Sequence, residues 1–210
     1  MSITRVIVAM AMSRVRRRVP DKACAMNECR RNKSQPSAAQ ALFVKAGVRA
    51  ESRILDVGGG IFPFIDWLLE RDVKDIWIWN CHFRSLYLPK PEIPPIGSPI
   101  KWIDVDMTQL LLEKGCCTHW HDSIVLHRLF APAHLRAYAK QAANAVSQGG
   151  YALIRCASIN DGKKPEKNIR RFSSPEGVAV VLGSEFMLKE VRREKLGDGT
   201  VTTHALFAHL

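Results

Sequence analysis

The stretch Arg53-Ile54-Leu55-Asp56-Val57-Gly58-Gly59-Gly60 constrains the fold more than any other part of the chain. A short apolar run ends in an acid, and three glycines follow at once. Residues 61–70 then have the pattern of a helix, with Pro63 in its first turn. A strand, a glycine turn and a helix N-terminus in succession form a cradle for a nucleotide, because backbone N–H groups point at the ligand. Without side chains at Gly58 and Gly60, a ligand can approach the backbone closely. The alternative is a βα turn that serves only the fold.

The rest of the chain alternates in the same way. Strands are expected at 53–57, 75–80, 100–104, 117–122, 151–157, 186–196 and 200–210, and helices at 35–48, 62–71, 132–146 and 174–182. Gly149-Gly150 is expected to end the third of these helices. Pro89, Pro91, Pro94, Pro95 and Pro99 leave room for one short helix near 82–88, and residues 108–114 suit a helical turn or two. Gly197-Asp198-Gly199 marks a hairpin between the last two strands. The expected fold is therefore α/β, a Rossmann-like seven-stranded, mostly parallel sheet with helices on both faces and a C-terminal antiparallel hairpin. A dinucleotide-binding dehydrogenase fits less well. The GxGxxG pattern fails at Pro63, and Asn80 stands where its ribose-binding acid is wanted.

Charge divides the chain. The net charge is +11 over 210 residues, but residues 1–33 hold nine Lys/Arg against two acids, a net +7, leaving +4 for the remainder. The expected organisation is a basic extension at 1–33, partly disordered or helical, and one domain at 34–210. The high overall charge thus describes the arm more than the domain, so nucleic-acid binding through the arm is possible but not favoured. No apolar run approaches the length of a membrane span. The six cysteines, Cys24, Cys29, Cys81, Cys116, Cys117 and Cys156, form no CxxC pair and fit reduced thiols in a cytoplasmic protein.

Five motifs in order carry a resemblance. They are Ile54 to Gly60, Trp102-Ile103-Asp104-Val105-Asp106-Met107-Thr108, Trp120-His121-Asp122-Ser123-Ile124-Val125-Leu126-His127, Gly149-Gly150-Tyr151-Ala152-Leu153-Ile154, and Arg192-Arg193-Glu194. Over about residues 34–208 the chain resembles class I S-adenosylmethionine-dependent methyltransferases, in particular the small bacterial group with a WHD…H segment. The resemblance implies S-adenosylmethionine as cofactor and methyl transfer to a small-molecule acceptor by in-line displacement. It implies cofactor contacts at Asp56, Gly58, Gly59, Gly60, Asn80, Cys81, Asp106 and Met107. Asn80 replaces the usual ribose-binding acid, Phe62 a usual small residue, and Ser123 an arginine common in the WHD group. Asn80, Phe62 and the proline-rich 89–99 run support a second reading, a degenerate member with weak or no activity that binds a protein or nucleic acid through its basic arm.

His121, Asp122 and His127 are the candidate catalytic residues. They lie at the C-terminal end of the fourth strand, where open α/β sheets bind ligands. A histidine there can act as general base, although methyl transfer often needs only alignment. Packing and hydrogen bonding are the competing roles. Cys117, His119 and His121 alternate along one strand face, but that spacing gives poor tetrahedral geometry, so no metal site is expected. Lys163, Lys164, Lys167, Arg170 and Arg171 form either a solvated loop or a lid.

Overall fold

The structure, a computed structural model, describes residues 37–58, 62–79, 97–103, 105–109, 111–156, 174–197 and 199–210. Helix α1 (Ala38–Lys45) opens with a capping box: the Ser37 hydroxyl accepts from the Gln40 N–H at 3.2 Å, and the Gln40 side chain accepts from the Ser37 N–H at 2.9 Å. It is shorter than the expected 35–48. Strand β1 (Arg53–Val57), helix α2 (Phe62–Glu70), strand β2 (Asp75–Trp79), strand β3 (Ile100–Ile103) and strand β4 (Cys117–Asp122) follow in order. A 3₁₀ turn (Leu126–Arg128), helix α3 (Pro132–Ala145), strand β5 (Val146–Cys156), helix α4 (Pro175–Leu182) and strands β6 (Phe186–Lys195) and β7 (Val201–His209) are the remaining elements among the described residues.

The seven strands lie in the order β3-β2-β1-β4-β5-β7-β6. The first five strands pair in parallel, while β7 runs antiparallel between β5 and β6. Successive side chains point to opposite faces, so the sheet separates two cores. On one face Leu42 and Phe43 of α1 and Phe64, Ile65 and Leu68 of α2 cover Ile54, Ile76, Ile78, Leu153 and Leu206. On the other, Tyr138, Ala142 and Ala145 of α3 and Val178 and Leu182 of α4 cover Leu55, Val57, Trp79, Trp120, Ile154 and Phe207. Full burial of large apolar side chains such as these stabilises by about 1.5–3 kcal/mol each.

Two local expectations give way. The glycine pair does not end α3, because the helix stops at Ala145 and β5 begins at Val146, paired with Cys117. Gly149 and Gly150 instead lie inside the strand, at the irregularity between Cys117 and His119. A Cβ on Gly150 would meet the Thr118 carbonyl at 2.7 Å, so the close approach of two backbones demands glycine there. The helical turn expected at 108–114 is a non-helical connection among the described residues. Asp106 takes the Thr108 N–H (2.7 Å) and hydroxyl (2.6 Å), while α3 supplies Gln141 to the Leu112 N–H (3.1 Å) and Asn144 to its carbonyl. Side chains thus compete with the helical ladder.

Candidate functional site

Strands β1 and β4 are neighbours in the sheet. From β1 the chain crosses to α2 on one face, whereas α3 after β4 covers the other. Open α/β sheets bind ligands beyond the C-terminal ends of strands at such a switch point. Here β1 gives way to Gly58, whose N–H donates to the Trp79 carbonyl at 2.8 Å. Gly58 has φ +91°, and a Cβ there would meet Val125 Cγ2 at 2.5 Å and Ile124 Cγ2 at 3.0 Å. Backbone conformation and the segment behind β4 both require glycine.

Asp56 and His121 face each other across β1 and β4. Asp56 Oδ1 lies 2.7 Å from His121 Nδ1, and the residues are 3% and 2% exposed. The imidazole lies over the Phe64 ring (4.1 Å between centroids) and meets Phe43 edge-on at 5.8 Å. His119, on the same face, bonds the Ala46 carbonyl through Nε2 and the Thr118 hydroxyl through Nδ1. Burial lowers its pKa. On β7, burial and then the charges of His121 and Arg155 lower His204 to about 3.

Asp122, one residue on, belongs to the opposite face. Its Oδ1 accepts from the Ile124 N–H (2.8 Å) and the Val125 N–H (2.7 Å), and its Oδ2 from the Leu126 N–H (2.9 Å) and the Tyr138 hydroxyl (2.7 Å). Trp120 Nε1 in turn donates to the Tyr138 oxygen at 3.1 Å. The carboxylate therefore holds the turn after β4 and ties it to α3. Tyr138 sits well away in sequence, and only the polar hydroxyl on an otherwise apolar helix face hinted at its part in this arrangement.

His127 sits on the 3₁₀ turn that Asp122 holds. The Arg155 backbone lies beside its ring, and its buried Nε2 has no hydrogen-bond partner among the described residues. Burial lowers its pKa, outweighing the nearby Asp122 carboxylate. The ring is therefore neutral near pH 7. The structure thus keeps Asp122 and His127 together and sets His121 apart from them. His121 lies in one core and Asp122 in the other, while His127 is at the C-terminal edge.

The loop after β3 forms another part of that edge. Trp79 Nε1 donates to the Val105 carbonyl at 2.8 Å, and Gln141 Nε2 donates to the Met107 carbonyl at 3.0 Å. Asp106 is partly exposed, while the Met107 side chain is buried in the α3 core. Gln141 and Trp79, which fix this loop, were hidden in the sequence as a polar residue within an amphipathic helix and as one tryptophan among several. Gly59, Gly60, Asn80 and Cys81 lie outside the described residues, as do the basic arm, the 82–88 segment and the lysine-rich loop. Among the described residues, no cluster of His, Cys, Asp and Glu is arranged to hold a metal, and no helix is long and apolar enough to cross a membrane.

No protein-family model matches the chain, and no curated protein matches it. Solved structures do. The chain is similar to an S-adenosylmethionine-dependent methyltransferase from Mesorhizobium loti, with TM-score 0.56 and 14% identity, covering 82% of this chain and 99% of that one. It is similar to the N-methyltransferase NodS from Bradyrhizobium japonicum WM9 in complex with S-adenosyl-L-homocysteine, with TM-score 0.56 and 15% identity over 81% and 84% of the two chains. It is also similar to 1,6-didemethyltoxoflavin-N1-methyltransferase from Burkholderia thailandensis, with TM-score 0.62, 18% identity, and coverage of 81% and 76%. Sheet order, closing hairpin and these likenesses agree: the chain has the fold of class I S-adenosylmethionine-dependent methyltransferases.

Proposed function

We propose that residues 34–210 bind S-adenosylmethionine at the C-terminal edge of β1–β4 and catalyse methyl transfer to a small molecule. The observation that carries this reading is the Gly58 turn, held at positive φ at the switch point of a methyltransferase sheet. The described residues fit the cofactor. The first turn of α2 contains no acid, which suits a ligand carboxylate at that helix end. The Asp106 loop, braced by Trp79 and Gln141, offers a partly exposed carboxylate and backbone to an adenine amino group. Asp56 acts on the site through His121, which holds its carboxylate behind the glycine turn. Gly59, Gly60, Asn80 and Cys81, which lie outside the described residues, carry the same assignment from the sequence.

When bound, the sulfonium supplies an electrophilic methyl group for in-line displacement. The chain's own work is to align the acceptor and take its proton. His127 is the residue we assign to that proton, because its ring is neutral and it stands on the turn just beyond β4. His121 and Asp122 position the edge on either side of the sheet. A small acceptor is supported by the likeness to the Burkholderia enzyme, crystallised with 1,6-didemethyltoxoflavin and S-adenosylhomocysteine.

Calorimetric titration with S-adenosylmethionine tests the reading. Saturable binding is expected, weakened about tenfold or more by Gly58→Ala or Asp106→Ala, a loss of about 1.4 kcal/mol or more. Absence of binding at millimolar cofactor would sink it and leave a partner-binding protein on a methyltransferase scaffold.

A further inference from the structure

Helix α3 carries Tyr138, Gln141 and Asn144 at intervals of three, so they fall along one side of the helix. Their hydrogen bonds go to two separate parts of the C-terminal edge. The Tyr138 hydroxyl donates to Asp122 Oδ2 at 2.7 Å, and the same oxygen takes the Leu126 N–H at the start of the His127 turn. One turn further along, Gln141 takes the Leu112 N–H at 3.1 Å and donates to the Met107 carbonyl at 3.0 Å. Asn144 donates to the Leu112 carbonyl. These bonds hold the connection that carries Asp106. Residues three apart are separated by about 4.5 Å along a helix axis, so one rigid turn of α3 joins the two parts.

A second route joins them as well. Trp79 Nε1 donates to the Val105 carbonyl at 2.8 Å, and its ring meets Trp120 edge-on, 6.4 Å between centroids. Trp120 meets Tyr138 edge-on at 5.4 Å and donates Nε1 to its oxygen at 3.1 Å. The contacts close a circuit: from Val105 and Met107 to Gln141, along α3 to Tyr138, through Trp120 to Trp79, and back to Val105. Trp79, Trp120, Tyr138 and Gln141 are all buried. Neither part can shift without breaking a bond in the interior, where the freed groups find no water.

We infer that Tyr138 and Gln141 are positioning residues, which set through α3 the separation between the adenosine end of the cofactor and the base His127. The inference rests on the functional reading above, in which the Asp106 connection meets the adenine and His127 takes the acceptor's proton. Displacement at the methyl carbon needs acceptor, carbon and sulfur in line, so an error in that separation costs rate directly. Gln141 acts on the cofactor side through Met107 and Leu112. Tyr138 acts on the acceptor side through Asp122. Each works at one remove from the reacting atoms.

The test measures two quantities on the full-length protein: the Kd of S-adenosylhomocysteine by calorimetry, and the titration of His127 read from its Cε1 proton resonance. Gln141→Met should raise the Kd about tenfold and leave the His127 titration in place. Tyr138→Phe should leave the Kd within about twofold and move the His127 midpoint to higher pH, because Asp122 loses a donor that shares its charge. Asn144→Ala should raise the Kd in the same direction by less, which keeps the cofactor side testable if Gln141→Met fails to fold. A purely structural part would lower the melting temperature of the variants and leave both quantities unchanged in the folded protein. That result, or both quantities moving together in each variant, would overturn the inference while the cofactor reading stands. Failure of the unaltered protein to bind S-adenosylhomocysteine would sink the cofactor reading and this inference with it.

Discussion

His121 and Asp122 are consecutive in β4, yet each serves a different half of the molecule. His121 has one charged partner, Asp56, and aromatic walls from α1 and α2. Asp122 has four donors, three from the backbone that follows it and one from Tyr138. A carboxylate saturated by fixed donors organises a turn. A histidine with one buried acid depends on that acid. The strand end is therefore built as two supports, one on each face, and His127 stands on the turn held by the second.

Removing Asp122 should cost the most. Asp122→Ala strands three backbone N–H groups and the Tyr138 hydroxyl in the interior, and a loss of about 5 kcal/mol is expected in urea unfolding. A loss below about 1 kcal/mol would mean that water replaces the carboxylate and that the comparison is misdrawn. On the other face, Asp56→Ala or His121→Ala should each cost about 3 kcal/mol by leaving a buried partner alone. The double variant should cost less than the sum, with a coupling of about 2 kcal/mol. Pairing either change with Asp122→Ala tests the separation of the faces, since independent supports predict additive losses.

Acid should distinguish the faces more gently. His204 binds its proton at about 3 when folded against 6.5 ordinarily, and burial shifts His119 in the same direction. The unfolded chain therefore binds these protons first as pH falls. The stability is fully present above about pH 6.5 and is lost as the pH drops toward the folded values, at up to about 1.4 kcal/mol per pH unit for each histidine. His204→Gln should flatten the slope between pH 6.5 and 5 in thermal melts, whereas Tyr138→Phe should lower stability without changing that slope.

Much of the fold was legible because its signals are local and repeated. Arg53 to Val57 and Asp75 to Trp79 are largely apolar runs closed by glycine or a polar residue, and the structure keeps both as strands. The closing hairpin announced itself through Gly197 and Gly199. The misread stretches depend on distant partners. Ala145 ends its helix because Val146 is drawn into pairing with Cys117, and Gln141 and Asn144 pin residue 112 from across the core. The grouping of His121 with Asp122 followed their adjacency in the chain, although a strand's period of two already directs them to opposite sides.

The position of β7 has a consequence for biosynthesis. Among the described residues it follows every other strand but lies inside the sheet, and β6 does not pair with β5. While the ribosome still holds Val201–His209, β5 presents an open edge and β6 has no neighbour to pair with. Phe207 and Leu206, one for each core, arrive together with that strand. The nascent domain is thus a template for strand addition until β7 emerges, and slow translation or premature release before then favours aggregation over folding.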